Sequence, residues 1–190
     1  MTESALSRLQ DALARADAHS PYLRQLLNRH TDVADLLSSG DLDGAIVACE
    51  IVTDEPTSIA MRKAKGRLAL SLGIGDLAGL LPLETVVTKL SALADDTLSL
   101  SIAQAITDHV PGAEPIGFAA IALGKHGSCE LNYSSDIDPI LIYDPETLPH
   151  RPREEVEEAA VRIGRKVVEL MQGRTEHGYV FRVDLRLRPS

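Results

Sequence analysis

Two aspartates one residue apart, Asp136-Ile137-Asp138, are the feature of this sequence most able to do chemistry. On an extended backbone residues two apart share a face, so both carboxylates meet one point while Ile137 turns toward the core. Two ionised carboxylates held so close repel each other unless a cation sits between them. Oxygen-only donors at a strand end suit Mg²⁺ or Mn²⁺, not zinc. Taken alone, the pair is equally a solvated acidic turn capping a strand. Upstream, behind an apolar run, stands Gly124-Lys125-His126-Gly127-Ser128. Glycines there let backbone N–H groups approach a phosphate, and a helix start behind them adds a favourable dipole; a strand-to-helix turn also needs glycine for steric reasons alone. Downstream, Asp184 stands among Arg182, Arg186 and Arg188. It could complete the cation site or pair with its neighbours, and the arginines could grip phosphate in a bidentate manner or line a solvated edge. Together these features make a two-cation cage, whose ions ~3.5–4 Å apart grip the entering and leaving oxygens of a phosphoryl displacement. The residues point to a metal-dependent nucleotidyl or phosphoryl transferase.

The elements that must position these groups lie on either side of residue 112. Before it the pattern is helical almost throughout. Ser20-Pro21 reads as an N-cap followed by proline at the first helical position, opening a short helix through Leu23, Leu26 and Leu27. Thr57 to Leu72 reads as a helix with a basic face carrying Arg62, Lys63, Lys65 and Arg67. Gly73-Ile74-Gly75 and Gly79 read as a turn between helices, since the spacing does not fit a dinucleotide loop. Pro82 opens a long helix with Leu83, Val86, Val87, Leu90, Leu93 and Ala94 at spacings of three and four. Val110-Pro111-Gly112-Ala113-Glu114-Pro115 breaks the helical pattern and divides an N-terminal helical region, 1–112, from a truncated catalytic core, 113–190, in which the period changes. There, residues 116–123 read as a buried strand, Ile137 to Tyr143 as a second strand, and Glu154 to Met171 as an amphipathic helix with an acidic first turn. Tyr179 to Arg188 alternates as a strand, with Tyr179, Phe181, Val183, Leu185 and Leu187 on one face. The expected class is α+β. The chain stops at Pro189-Ser190 directly behind this strand, which reads as a fragment.

Composition excludes several other functions. In 190 residues, 44% apolar and 25% charged, there is enough material for a hydrophobic core and no sign of wholesale disorder. No apolar run approaches the ~18 residues of a membrane span, and no secretory signal opens the chain. Cys49 and Cys129 suggest neither disulfide framework nor metal knuckle, so a reducing cytoplasm is expected. Nineteen basic against 28 acidic residues give a net charge of −9, which repels a phosphate polymer, and aromatics are only 3% with no tryptophan. A nucleic-acid partner is not expected.

Three stretches carry a family resemblance: Gly124-Lys125-x-Gly127, Glu130-Leu131-Asn132-x-Ser134-Ser135-Asp136-Ile137-Asp138, and Gly178-Tyr179-Val180-Phe181-Arg182-Val183-Asp184-Leu185-Arg186-Leu187-Arg188-Pro189. They resemble glutamine synthetase adenylyltransferase, a bifunctional family with two DNA-polymerase-beta-type nucleotidyltransferase domains. Asp76-Leu77-Ala78-Gly79-Leu80 and Leu90-Ser91-Ala92-Leu93-Ala94-Asp95 are similar to the segment preceding the family's first catalytic domain. The Ser-Ser-Asp-Ile-Asp wording resembles the N-terminal, adenylyl-removing half. The resemblance implies a small mixed sheet with flanking helices, incomplete at its C-terminal end. It implies phosphorolysis, in which phosphate attacks the AMP–tyrosine diester of glutamine synthetase and releases ADP, thereby regulating nitrogen metabolism. Adenylylation from ATP, and a catalytically silent nucleotide-binding module, are the alternatives. It further implies Mg²⁺, or Mn²⁺, held by Asp136, Asp138 and Asp184, with phosphate or nucleotide contacts at Gly124, Lys125, Gly127, Ser128, Ser135, Arg182 and Arg186. Glutamine synthetase and a PII-type regulatory protein are the implied partners. His126 and Ser128 replace the leucine and second glycine usual in the family's turn. His126 reads as a surface substitution, and Pro139 as the loss of a backbone donor, tolerable only on an unpaired side.

Overall fold

The computed structural model describes residues 3–52 and 54–185. Six helices come first: α1 Glu3–His19, α2 Pro21–Arg29, α3 Thr31–Ser39, α4 Leu42–Val47, α5 Thr57–Leu77 and α6 Leu83–His109. A strand pair with its flanking helices follows: β1 Phe118–Leu123, α7 Gly124–Gly127, β2 Asp138–Tyr143 and α8 Val156–Gln172. The class is α+β, as expected.

Local chemistry sets the helix boundaries. Ser20 caps α2, its hydroxyl accepting a hydrogen bond from Leu23 N at 3.3 Å, and Pro21 supplies a first residue with no N–H to satisfy. Asp41 does the same for α4 through Gly44 N at 2.8 Å. Gly40 ends α3 in the left-handed region, φ +91°, where its N–H still reaches the last turn. Gly73 and Gly75 are not the expected turn: α5 runs straight through both and the turn falls at Gly79, φ +60°. A Cβ at position 75 would lie 2.6 Å from Leu81 Cδ1 and 2.9 Å from its Cγ, so packing after the turn excludes a side chain there.

α5 is enclosed along nearly all of its length, with only Asp76 and Leu77 at its end exposed. Met61, Ala64, Leu68 and Leu72 join one core with α6, Ile137, α8 and Phe181, while Ala69, Leu70 and Ile74 join another with Leu9, Leu26, Val33 and Leu37 from α1 to α3. The supposed basic face is divided accordingly. Arg62 is buried and spends its guanidinium on carbonyls, donating to Ser58 O at 2.6 Å, Leu170 O at 3.0 Å, Gly178 O at 3.1 Å and Gly173 O at 2.5 Å. It thereby satisfies acceptors left open at the C-terminal end of α8.

β1 and β2 pair antiparallel, with Phe118 opposite Tyr143 and Leu123 opposite Asp138. β1 was expected to be buried on both faces, but its residues alternate, and Ile121 is 49% exposed. Among the described residues, one parallel bridge, Ile137 to Val183, runs alongside β2. The expected alternation of Tyr179 to Arg188 fails at Val180 and Phe181, which are both buried because both N–H groups donate to Met171 O, at 2.9 and 3.2 Å. The end of that expected strand, residues 186–190 with Arg186 and Arg188, lies outside the described residues.

Candidate active site

The glycine turn and the aspartate pair are widely separated in sequence, and strand pairing closes the gap. Leu123, the last residue of β1, is opposite Asp138, the first of β2, so Gly124 opens directly beside the Asp138 carboxylate. A Cβ on Gly124 would stand 3.2 Å from Asp138 Oδ2, and its φ of +56° is one that side-chain-bearing residues rarely adopt. Gly127 has a different reason for being glycine: a Cβ there would lie 2.5 Å from Ala122 O, where the turn folds back on its own strand. Ser128 is tied into the turn, its hydroxyl donating to Gly124 O at 3.3 Å and to Glu130 Oε2 at 3.0 Å. Lys125 is exposed.

His126 is not on the surface. It is 3% exposed, with Nε2 2.8 Å from Asp95 Oδ1 on α6, and its buried Nδ1 has no partner among the described residues. This bond fixes the turn to the long helix. Nothing in the local pattern announces it, since the partners lie 31 residues apart. Ser91, also on α6, accepts a 3.3 Å hydrogen bond from Leu131 N and holds the loop leading out of the turn.

The aspartates are launched by a tight turn. Ser134 N donates to Asn132 Oδ1 at 3.1 Å, and Asn132 N donates to Ser135 Oγ at 3.1 Å. The Ser135 hydroxyl therefore serves the turn. Beyond it, Ile137 N donates to Arg182 O at 3.0 Å and Asp184 N donates to Ile137 O at 2.9 Å. Ile137 is fully buried and Val183 packs against the same core, so their neighbours in sequence take the opposite face. Asp136, Asp138, Arg182 and Asp184 thus share one side of the sheet by register. Pro139 has its nitrogen on the side of β2 away from β1, because Ile137, two residues earlier, bonds the other way. A proline there has no N–H to donate to the segment that carries Asp184.

On that face Arg182 pairs with Asp136 through Nε and Oδ1, and its Nη2 donates to Ser134 O at 2.8 Å. The hydrogen bond and charge of Asp136 hold the guanidinium pKa above its usual value. Among the described residues no three His, Cys, Asp or Glu side chains are drawn together as a metal-holding cluster. The carboxylates are aligned by register and Asp136 is engaged with an arginine. Their all-oxygen donor set is nonetheless of the type that suits a hard divalent cation.

The glycine turn, the Ser-Ser-Asp-Ile-Asp strand and the 178–185 segment therefore form one continuous structure, and known proteins match it as a unit. A model of the family described as glutamate-ammonia ligase adenylyltransferase matches residues 5–190. The chain belongs to this family. It is similar to the bifunctional glutamine synthetase adenylyltransferase/adenylyl-removing enzyme of Caulobacter vibrioides, 38% identical over 199 residues covering 94% of the chain and 20% of the relative. The corresponding protein of Mesorhizobium japonicum is 32% identical over 202 residues, 95% of the chain and 20% of the relative. That of Rhizobium meliloti is 30% identical over 207 residues, 96% of the chain and 21% of the relative. The chain thus spans about a fifth of the length of these relatives. The family resemblance carried by the three motifs is borne out. Among the described residues, no helix is long and apolar enough to cross a membrane.

Proposed function

We propose that the face carrying Asp136, Asp138 and Asp184, with the Gly124 turn beside it, is a nucleotidyl-transfer centre of polymerase-beta type in a cytoplasmic regulator of nitrogen metabolism. Its reaction is phosphorolysis of the adenylyl-tyrosine of glutamine synthetase. An oxygen of inorganic phosphate forms a bond to the adenylyl phosphorus as the bond from phosphorus to the tyrosine oxygen breaks. ADP leaves, and the tyrosine oxygen takes up a proton. The observation that carries this reading is the approach of Gly124 to Asp138 across the β1–β2 pair, which sets a bare backbone turn against a carboxylate.

Each of the chain's own groups has a part in such a reaction. Gly124 brings the bare backbone of the turn against the Asp138 carboxylate with no side chain between them, so that its backbone can approach a phosphoryl group held at that carboxylate. Asp136, Asp138 and Asp184 would hold Mg²⁺, or Mn²⁺, which when bound stabilises charge on the phosphoryl oxygens and on a leaving phenoxide whose unperturbed pKa is ~10. Arg182 is oriented by Asp136 and Ser134 O at the edge of this face, where a guanidinium offsets the repulsion between phosphate and an anionic diester.

The test is incubation of the chain with adenylylated glutamine synthetase, inorganic phosphate and Mg²⁺. ADP release that is lost in Asp138→Asn supports the proposal, whereas pyrophosphate release from ATP selects adenylylation instead. The Asp136–Arg182 pair favours a second reading, a silent nucleotide-binding module, because it occupies a carboxylate that catalysis needs. Mg²⁺-dependent nucleotide binding that is lost in Asp138→Asn, with neither product formed, selects that module.

A further inference from the structure

A cleft of about 620 Å³ lies between α2, α5, the 133–135 turn and the 174–181 segment. That volume is in the range of small-molecule sites. Its lining is unlike the rest of the chain in two ways. Four of the six aromatic residues of the whole sequence, Tyr22, Tyr133, Tyr179 and Phe181, line it. Its charge also opposes that of the chain: Arg29, Arg62, Lys65 and Arg174 face a single acidic residue, Glu176, in a protein of net charge −9.

Three of those cations are available to a ligand. Arg62 is consumed by backbone carbonyls. Lys65 Nζ stands 3.8 Å from the centre of the Phe181 ring, and Arg174 Cζ stands 5.8 Å from that of Tyr179. Neither these two nor Arg29 makes an ion pair with a carboxylate among the described residues. Burial pulls the Lys65 ammonium down to about 8, so the protein itself supplies no anion that holds its charge. Tyr22, half-exposed, and Tyr179 both line the cleft, and burial first, then Tyr179, hold the Tyr22 phenol above its usual pKa, which keeps its ring neutral.

We propose that this cleft is a binding site for a nucleoside phosphate, separate from the aspartate face and independent of any metal. The base stacks on the Tyr22 and Tyr179 side, and the phosphates are met by Lys65, Arg174 and Arg29. Rings and unneutralised guanidinium and ammonium groups together are the two halves of nucleotide recognition, and each half alone would take a different ligand. The Gly178 turn, φ +87° and closed by reciprocal Thr175–Gly178 hydrogen bonds of 2.9 Å, forms the rim that carries Arg174 and Tyr179.

The experiment is calorimetric titration of the 190-residue chain with AMP, ADP and inorganic phosphate in EDTA. ADP and AMP should bind with no divalent cation present. Lys65→Met and Arg174→Gln should each weaken ADP binding by about tenfold, the loss expected for one charge-assisted phosphate contact. Asp138→Asn should leave this metal-free binding unchanged. Arg174 is exposed, so its variant reads binding even where Lys65→Met alters folding. Absence of metal-free binding, affinity for phosphate equal to that for ADP, or insensitivity to Arg174→Gln overturns the proposal. None of these results bears on phosphorolysis at the aspartate face, which is read through product formation with Mg²⁺.

Discussion

His30 shows how a single residue can set the acid stability of the chain. It links α2 to α3, is 5% exposed, and a Cβ on Gly66 of α5 would stand 2.5 Å from its Nε2. Burial first, and then Arg67, pull its pKa from 6.5 to about 4, against a smaller opposing effect of Asp32. The native imidazole therefore stays neutral where the unfolded one protonates. Between pH 6.5 and about 4 the unfolded state binds the extra proton, so stability falls as pH falls through that window, by about 2–3 kcal/mol from this group at most. Urea midpoints of the protein and of His30→Gln should diverge across the window, with the variant losing less; parallel pH profiles would contradict the assignment. At this scale the catalytic candidates were legible, because Asp-x-Asp on a strand makes a stereochemical statement by itself. The burial of His126 was not. Its neighbours Gly124, Lys125 and Gly127 are all exposed, and only the tertiary approach of Asp95 gives the ring a place inside.

At the scale of elements, helix starts could be read from the sequence and helix ends only in part. Ser20-Pro21 and Pro82 carry their own stop-and-start chemistry, and both work as expected. Gly73 and Gly75 mislead because glycine in a helix also answers a demand from outside it. Gly75→Ala checks this directly. In an exposed helix the change would stabilise by up to ~1 kcal/mol through propensity. Here the methyl would meet Leu81 Cγ at 2.9 Å and Leu42 Cδ1 at 3.2 Å, so the expected result is destabilisation by about 1–3 kcal/mol in thermal or urea unfolding. Strand behaviour was harder to foresee. The apolar run of β1 resembles a strand buried on both faces, yet among the described residues it pairs only with β2 and exposes every second side chain. Among the described residues the last segment takes up its in–out alternation only at Phe181 and holds it through Val183, because the carbonyl at the end of α8 claims two successive N–H groups before the sheet begins, and Leu185, expected inside, is exposed.

At the scale of the whole molecule, the change from helices to strands falls at the Val110–Pro115 break, but the hydrophobic core runs across it. α6 packs on α8 and β1, and the core that contains Leu90 and Ile106 also contains Ile137, Ile163 and Phe181. Because α5 belongs to both cores, unfolding either would expose buried side chains of that helix. A single cooperative transition is expected, with the far-ultraviolet helical signal and a cleft-localised probe melting together. Two separate midpoints would show that the N-terminal helices and the strand layer fold independently. A helix packed on both flanks also has no direction in which to give way. Any displacement of α1 to α4 would reach Arg62 and Lys65 as a rigid push, one of them clamped to the end of α8 and the other at the wall of the cleft. Occupancy of that cleft and the posture of the N-terminal helices would then act on one another, like two hands on the same lever.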